Sequence, residues 1–162
     1  MRIHRNLLMV GVCGLALGLI AWAQGRKAGL WEVTATMTFQ QSPFPEGMMQ
    51  MGSGPRTTQV CVTKEQIEKF GTVPPHSPGN CKIADVVKKA NSMTAEMICA
   101  APYTGKGEIA SSWTDDSHSR SKVHFLGEMQ MGEESKPIEW TVESTSVYKG
   151  PDCGNVKPLP TN

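Results

Sequence analysis

Three methionines fall within four positions of one short stretch, PFPEGMMQMGSGP at residues 43–55: Met48, Met49 and Met51. A thinner copy, GEMQMGEE, follows with Met129 and Met131. A thioether is a soft ligand suited to Cu(I), and Met-x-Met spacing can bring two sulfurs to one ion. The same unbranched, polarizable side chains also adapt to varied apolar surfaces. Pro43, Pro45, Gly47, Gly52, Gly54 and Pro55 discourage regular structure, so an exposed loop is expected over 40–55. No histidine lies within it to help hold copper. Met48, Met49 and Met51 are therefore assigned to contact with an apolar ligand or partner. A Cu(I) site built from Met48, Met49, Met51, Met129 and Met131 is the alternative.

The remaining chemistry-bearing residues form no motif. His76 lies in a proline loop, His118 in a turn, and His124 in a strand whose alternation turns it away from Val123 and Phe125. No histidine pair has the spacing of a zinc site, and neither G-x-S-x-G nor H-E-x-x-H occurs. Asp115-Asp116 reads as a turn, where Asp bonds its own backbone. The chain is expected to be noncatalytic and to need no cofactor.

The start of the chain, MRIHRNLLMVGVCGLALGLIAWAQG, has Arg2 and Arg5, an apolar run and small residues at Ala21-Trp22-Ala23. It reads as a signal peptide over 1–23, with a single β-rich domain over 24–162 beginning at Gln24. An uncleaved anchor is the competing reading. Cys13 follows Val12 inside the run, which excludes a lipoprotein signal. The expected location is periplasmic or secreted, with no membrane span after cleavage. Without Arg2 and Arg5 the 16 basic side chains come close to the 15 acidic ones, so no electrostatic footprint for nucleic acid exists.

Of five cysteines, Cys13 leaves with the signal. Cys61, Cys81, Cys99 and Cys153 form an even set in an exported chain and read as two disulfides. Cys61–Cys81 with Cys99–Cys153 is favoured, the first closing a loop around a short helix and the second tying down the C-terminus. A Cys81–Cys99 bridge stays open.

That bridge depends on the elements. GLWEVTATMTF, 29–39, alternates, with Trp31, Val33, Ala35, Met37 and Phe39 on one side. RTTQVCV, 56–62, is a second strand. Thr63-x-x-Gln66 is a capping box opening a two-turn helix over 63–70. Hairpins follow: 81–89 with 92–100, 105–113 with 118–131, then a last strand over 137–148. If the first hairpin turns through Lys89-Ala90-Asn91, Cys81 opposes Cys99 and Ile83 opposes Met97; a two-residue turn would shift that register by one. Trp31, Val33, Met37, Ile83, Met97, Val123, Phe125, Trp140 and Val142 are the expected inward positions. Seven strands and one helix without strand–helix alternation predict a mainly β antiparallel meander, either a curved sheet or a small up-and-down barrel.

GLWEVT near the mature start, QVCVT before the helix, NCKI and MICA around the first hairpin and a terminal GPDC occur in this order. Together they resemble the bacterial exported family known as domain of unknown function 3617, over nearly the whole mature chain. The resemblance implies a secreted or periplasmic β-rich domain without an established activity, often with a Met/Pro/Gly loop after its first strand. The ending YKGPDC departs from the more basic one of that family. Gly29-Leu30-Trp31 is also similar to the lipocalin Gly-x-Trp signature, which implies a Trp that plugs the closed end of a barrel. Trp31 joins the ligand-binding set on that basis, its alternative being an ordinary core residue. The expected function is a noncatalytic domain binding an apolar small molecule or an envelope protein, with a periplasmic Cu(I)-binding accessory protein as the alternative.

Overall fold

The computed structural model describes residues 26–44, 54–77 and 79–160. These form one seven-stranded antiparallel sheet: β1 (Gly29–Gln41), β2 (Arg56–Val62), β3 (Cys81–Lys88), β4 (Ser92–Cys99), β5 (Tyr103–Trp113), β6 (His118–Met131) and β7 (Glu134–Gly150). Among the described residues a single short helix, α1 (Lys64–Phe70), follows β2. The strand order is β2-β1-β7-β6-β5-β4-β3. β3 to β7 are the expected meander, and β1 then pairs with both β7 and β2.

The sheet is curved but stays open. β2 and β3 are its two edges, and the chain between them carries α1 where strand pairing would be needed for closure. The small barrel is thus excluded in favour of the curved sheet. Thr63 caps α1 as expected: its side chain accepts from Gln66 N, and Gln66 Oε1 accepts from Thr63 N at 2.9 Å. Gly71 ends the helix in the left-handed conformation, φ 71°. The helix straddles the apolar face of the sheet. Ile67 packs with Trp31, Val60 and Val62, whereas Phe70 packs with Met93, Met97, Ile109 and Phe125.

The disulfides are Cys61–Cys153 and Cys81–Cys99. The favoured pairing of Cys61 with Cys81 and Cys99 with Cys153 is therefore corrected. The register explains why. Cys81 opposes Cys99 and Ile83 opposes Met97, as a three-residue turn would require. Yet Lys89 N donates to Ser92 O across Ala90-Asn91, which makes the turn the shorter one. A bulge between Ala84 and Val87, with Asp85 at φ 51°, inserts the residue that restores the cysteine register. With Cα atoms 4.0 Å apart across adjacent strands, Cys81 and Cys99 are placed for direct bridging.

Cys61 instead takes the C-terminal tail. Past β7 the chain reaches the outer edge of β2, where Cys61 and Pro158 form a parallel bridge and Gln66 Nε2 donates to Leu159 O at 2.7 Å. Leu159 packs against the Trp31 cluster. At the other edge, the bulge and Lys82 and Lys88 make β3 a poor template for further pairing.

Period-two alternation places all nine expected inward positions on the apolar face. Trp31, Met97 and Phe125 are fully buried. Gly105 and Gly127 oppose one another on this face, and the Phe125 ring lies across them; a Cβ on either would come 2.9 Å from Phe125 Cζ. Among the described residues no helix is long and apolar enough to cross a membrane, which says nothing of strands.

Candidate functional site

The apolar face carries two hydrophobic clusters that do not merge. One is centred on Trp31, Val60 and Val62. The other gathers Phe70, Met93, Met97, Ile109, Phe125 and Ile138, with Phe39, Val123 and Trp140 against it. Phe125 and Trp140 stack at 5.1 Å, and Phe39 opposes Trp140 from β1.

Between the clusters two rows cross β1, β7 and β6. The first is Ala35, Ser144 and Ser121; the second is Met37, Val142 and Val123. All six are partly open to solvent. Among the described residues Met37 and Val142 join neither cluster. The first row continues to Ser111, whose hydroxyl donates to Ser121 at 2.9 Å, and Ser119 and Ser146 lie buried beside it. Small side chains keep this band low. The result is a strip with an apolar floor at Met37 and Val142, hydroxyls along one side and aromatic rings at the other.

One end of the strip is sealed. Trp31 is 0% exposed, its indole N–H donates to Lys27 O at 3.0 Å, and Tyr148 meets it edge-on. The Arg26 guanidinium lies between the rings of Trp31 and Trp113, 5.1 and 5.2 Å from their centroids. Its Nη1 donates to Asp115 O and His118 O, while Nε and Nη2 have no partner among the described residues. Burial pushes the Arg26 pKa below its ordinary value, and Asp115 and Asp116 oppose that. Lys27 Nζ holds Asp116 at 2.8 Å. The Asp115 carboxyl is kept below the usual range by the Ser117 backbone N–H, then by the His118 side chain; that of Asp116 is lowered first by Lys27.

Met48, Met49 and Met51 lie outside the described residues, so of the assigned ligand contacts only Trp31 is placed, wholly inside the packing. Of the alternative metal set, Met129 packs against the larger cluster and Met131 is exposed at the end of β6. His118 pairs with Asp115 and His124 with Glu139, both at the surface. Among the described residues no three His, Cys, Asp or Glu side chains gather as a metal group. Cys61, Cys81, Cys99 and Cys153 are all bridged.

Two features of the strip went unread in the sequence. Arg26 is one cation in a short lead-in, and nothing nearby marks it as buried. Its partners, Trp31 and Trp113, meet only because β1 and β5 share a sheet. The gap between clusters was legible only as small residues, Ala35 and the serines, on otherwise apolar faces.

Two disulfides and the lack of a membrane-crossing helix among the described residues are compatible with an exported protein. Neither a curated protein nor a solved structure matches the chain. A family model does match, over residues 26–153, from the buried Arg26 to the cysteine that fastens the tail. The chain belongs to the family described as protein of unknown function DUF3617.

Proposed function

We propose that this chain is an exported, noncatalytic β domain of the bacterial envelope that holds an apolar small molecule on the strip between its two hydrophobic clusters. The observation that supports this reading is the position of Met37 and Val142. Both sit on the core face at the middle of the sheet, yet among the described residues neither joins a cluster and both remain partly open. An apolar ligand lying there would bridge the Phe39–Trp140 side to the Val33 side and remove the intervening surface from water. The hydroxyls of Ser121 and Ser144 would border it. The noncatalytic part rests on the titratable pairs, His118–Asp115 and His124–Glu139, which engage each other at the surface. The periplasm is the expected site of action, because the chain opens with a signal-like segment and carries two disulfides.

The test is titration of the folded, oxidised protein with N-phenyl-1-naphthylamine, read by energy transfer from tryptophan. Saturable binding is expected, with loss of about tenfold or more in affinity for Val142→Glu, since a carboxylate on the floor must be desolvated. The thermal midpoint of that variant should stay near wild type, because Val142 lies outside both clusters. Equal probe binding by wild type and Val142→Glu would overturn the assignment of the strip. Probe binding by neither, with co-purification of an envelope protein that Val142→Glu no longer retains, would replace the small molecule by a protein partner.

A further inference from the structure

The opposite, polar face of the sheet carries a groove of about 860 Å³ that crosses five strands. Its floor is the backbone of Met93, Ser111, Ser121 and Ser144, whose side chains turn to the core face. Strand register sets the chemistry of one row along it. Ser92 opposes Ser112, Ser112 opposes Arg120, Arg120 opposes Thr145 and Thr145 opposes Thr34. Four hydroxyl side chains and one guanidinium thus stand at neighbouring strand spacings, with no carboxylate among them. The next row holds Lys122 and Glu143, joined at 3.4 Å, with the short side chain of Ala110 beside them.

Arg120 differs from the neighbouring lysines of β5 and β6 on this face. Lys122 has Glu143 and Lys106 has Glu96, but Arg120 makes no ion pair and no side-chain hydrogen bond among the described residues. It is exposed and flanked by Ser112 and Thr145, so its donors are free in the middle of a donor-rich row. A guanidinium recognises a planar or tetrahedral oxyanion through paired N–H groups, and flanking hydroxyls can donate to the same anion or accept from a hydroxylated ligand. Among the described residues no aromatic side chain lines the groove, which removes the stacking platform on which a neutral sugar ring would rest.

We propose that this groove is a second binding site, distinct from the strip on the core face, and that it takes a small anionic polyol: a hydroxylated molecule with a phosphate on Arg120 and hydroxyls along Ser112, Thr145 and Thr34. Such a group reaches an exported protein either as a soluble ester or as a lipid headgroup. The shared chemistry defines the site, and the experiment separates the sources.

The oxidised mature protein is titrated with sn-glycerol 1-phosphate at low ionic strength and followed by amide chemical shifts. Shifts are expected to cluster at Thr34, Ser112, Arg120 and Thr145. Arg120→Gln should weaken binding about tenfold or more, since a charge-assisted pair is lost. Glu143→Gln, which frees Lys122 and removes a like charge, should tighten it about twofold to threefold. All three proteins should share one thermal midpoint, because both side chains are exposed. Sedimentation with phosphatidylglycerol vesicles, but not with phosphatidylcholine vesicles, would assign the headgroup as the source; binding of the soluble ester alone would assign the free compound. Absence of clustered shifts in wild type, unchanged affinity in Arg120→Gln, or equal affinity for inorganic phosphate and the ester would overturn the proposal.

Discussion

Arg26 shows how a single side chain can organise one end of a sheet. Arg26 is 7% exposed, its guanidinium covered on both faces by Trp31 and Trp113, and only Nη1 has acceptors among the described residues. Cation–π attraction offsets part of the desolvation, and the aliphatic stem adds contact. The two contributions can be separated. Arg26→Ala removes both and is expected to lower unfolding free energy by roughly 2–3 kcal/mol, in the range of substitutions that open a packed site. Arg26→Met keeps an unbranched apolar chain between the rings and is expected to lose less than about 1.5 kcal/mol, as shape-conserving replacements do. Urea unfolding at neutral pH measures both. Equal losses would mean that the bonds to Asp115 O and His118 O, and not the sandwich, hold this end together. None of this was legible in the sequence, because burial of a lone arginine depends on partners far along the chain. The inward positions were legible, since period-two alternation is written into each strand and sheet pairing preserves it.

At the scale of elements, the β3–β4 hairpin shows what local pattern can and cannot settle. Alternation brought Ile83 opposite Met97 correctly, but through the wrong turn. Two compensating features lay hidden, the short turn at Ala90-Asn91 and the bulge beside Asp85, and only their sum fixes where the cysteines meet. The β5–β6 turn was read correctly as an acidic turn but not as an anchorage. Asp115 accepts from the backbone of Ser117 and His118 and faces the His118 ring, while Asp116 holds Lys27. Both carboxyls have folded-state pKa values below their ordinary ones. A depressed carboxyl pKa contributes stability that is fully present above the unfolded value, about 3.9 for Asp, and is lost as pH falls through the folded value. The urea midpoint should therefore hold between about pH 7 and 5 with respect to these groups, and fall once pH drops below about 4. Asp115→Asn with Asp116→Asn should start from a lower midpoint at pH 7 and show a shallower acid decline. An acid decline identical to that of wild type would show that other carboxylates control it.

For the whole molecule, the sheet is organised by a contact that no local pattern announces: β1, the first strand, lies against β7, the last. That pairing puts the N-terminal Arg26–Trp31 segment beside the β5–β6 turn and brings the chain's end round to the edge of β2. It also leaves β2 and β3 unpaired with each other, so α1 joins the edges without closing them. The two disulfides act at these two edges and differ in span. Cys61–Cys153 links residues 92 apart, and Cys81–Cys99 residues 18 apart. In the chain-entropy account these are worth about 4.5 and about 3 kcal/mol respectively, before any change in the folded state. Position enlarges the difference. Cys81–Cys99 ties strands that the β3–β4 ladder already holds, whereas Cys61–Cys153 fastens a tail held otherwise by the Cys61–Pro158 bridge, the Gln66–Leu159 bond and the packing of Leu159. Replacing Cys61 and Cys153 together by Ala should thus lower the urea midpoint more than replacing Cys81 and Cys99. It should also speed amide hydrogen exchange in β2 while leaving β4 and β5 near their native protection, because the tail covers only the β2 edge. The Cys81→Ala and Cys99→Ala pair should instead loosen β3 alone. If loss of Cys61–Cys153 leaves β2 protected and the midpoint unchanged, then the pairing with β1 and the packing of Leu159 suffice to guard that edge, and the long-span disulfide does not stabilise the fold.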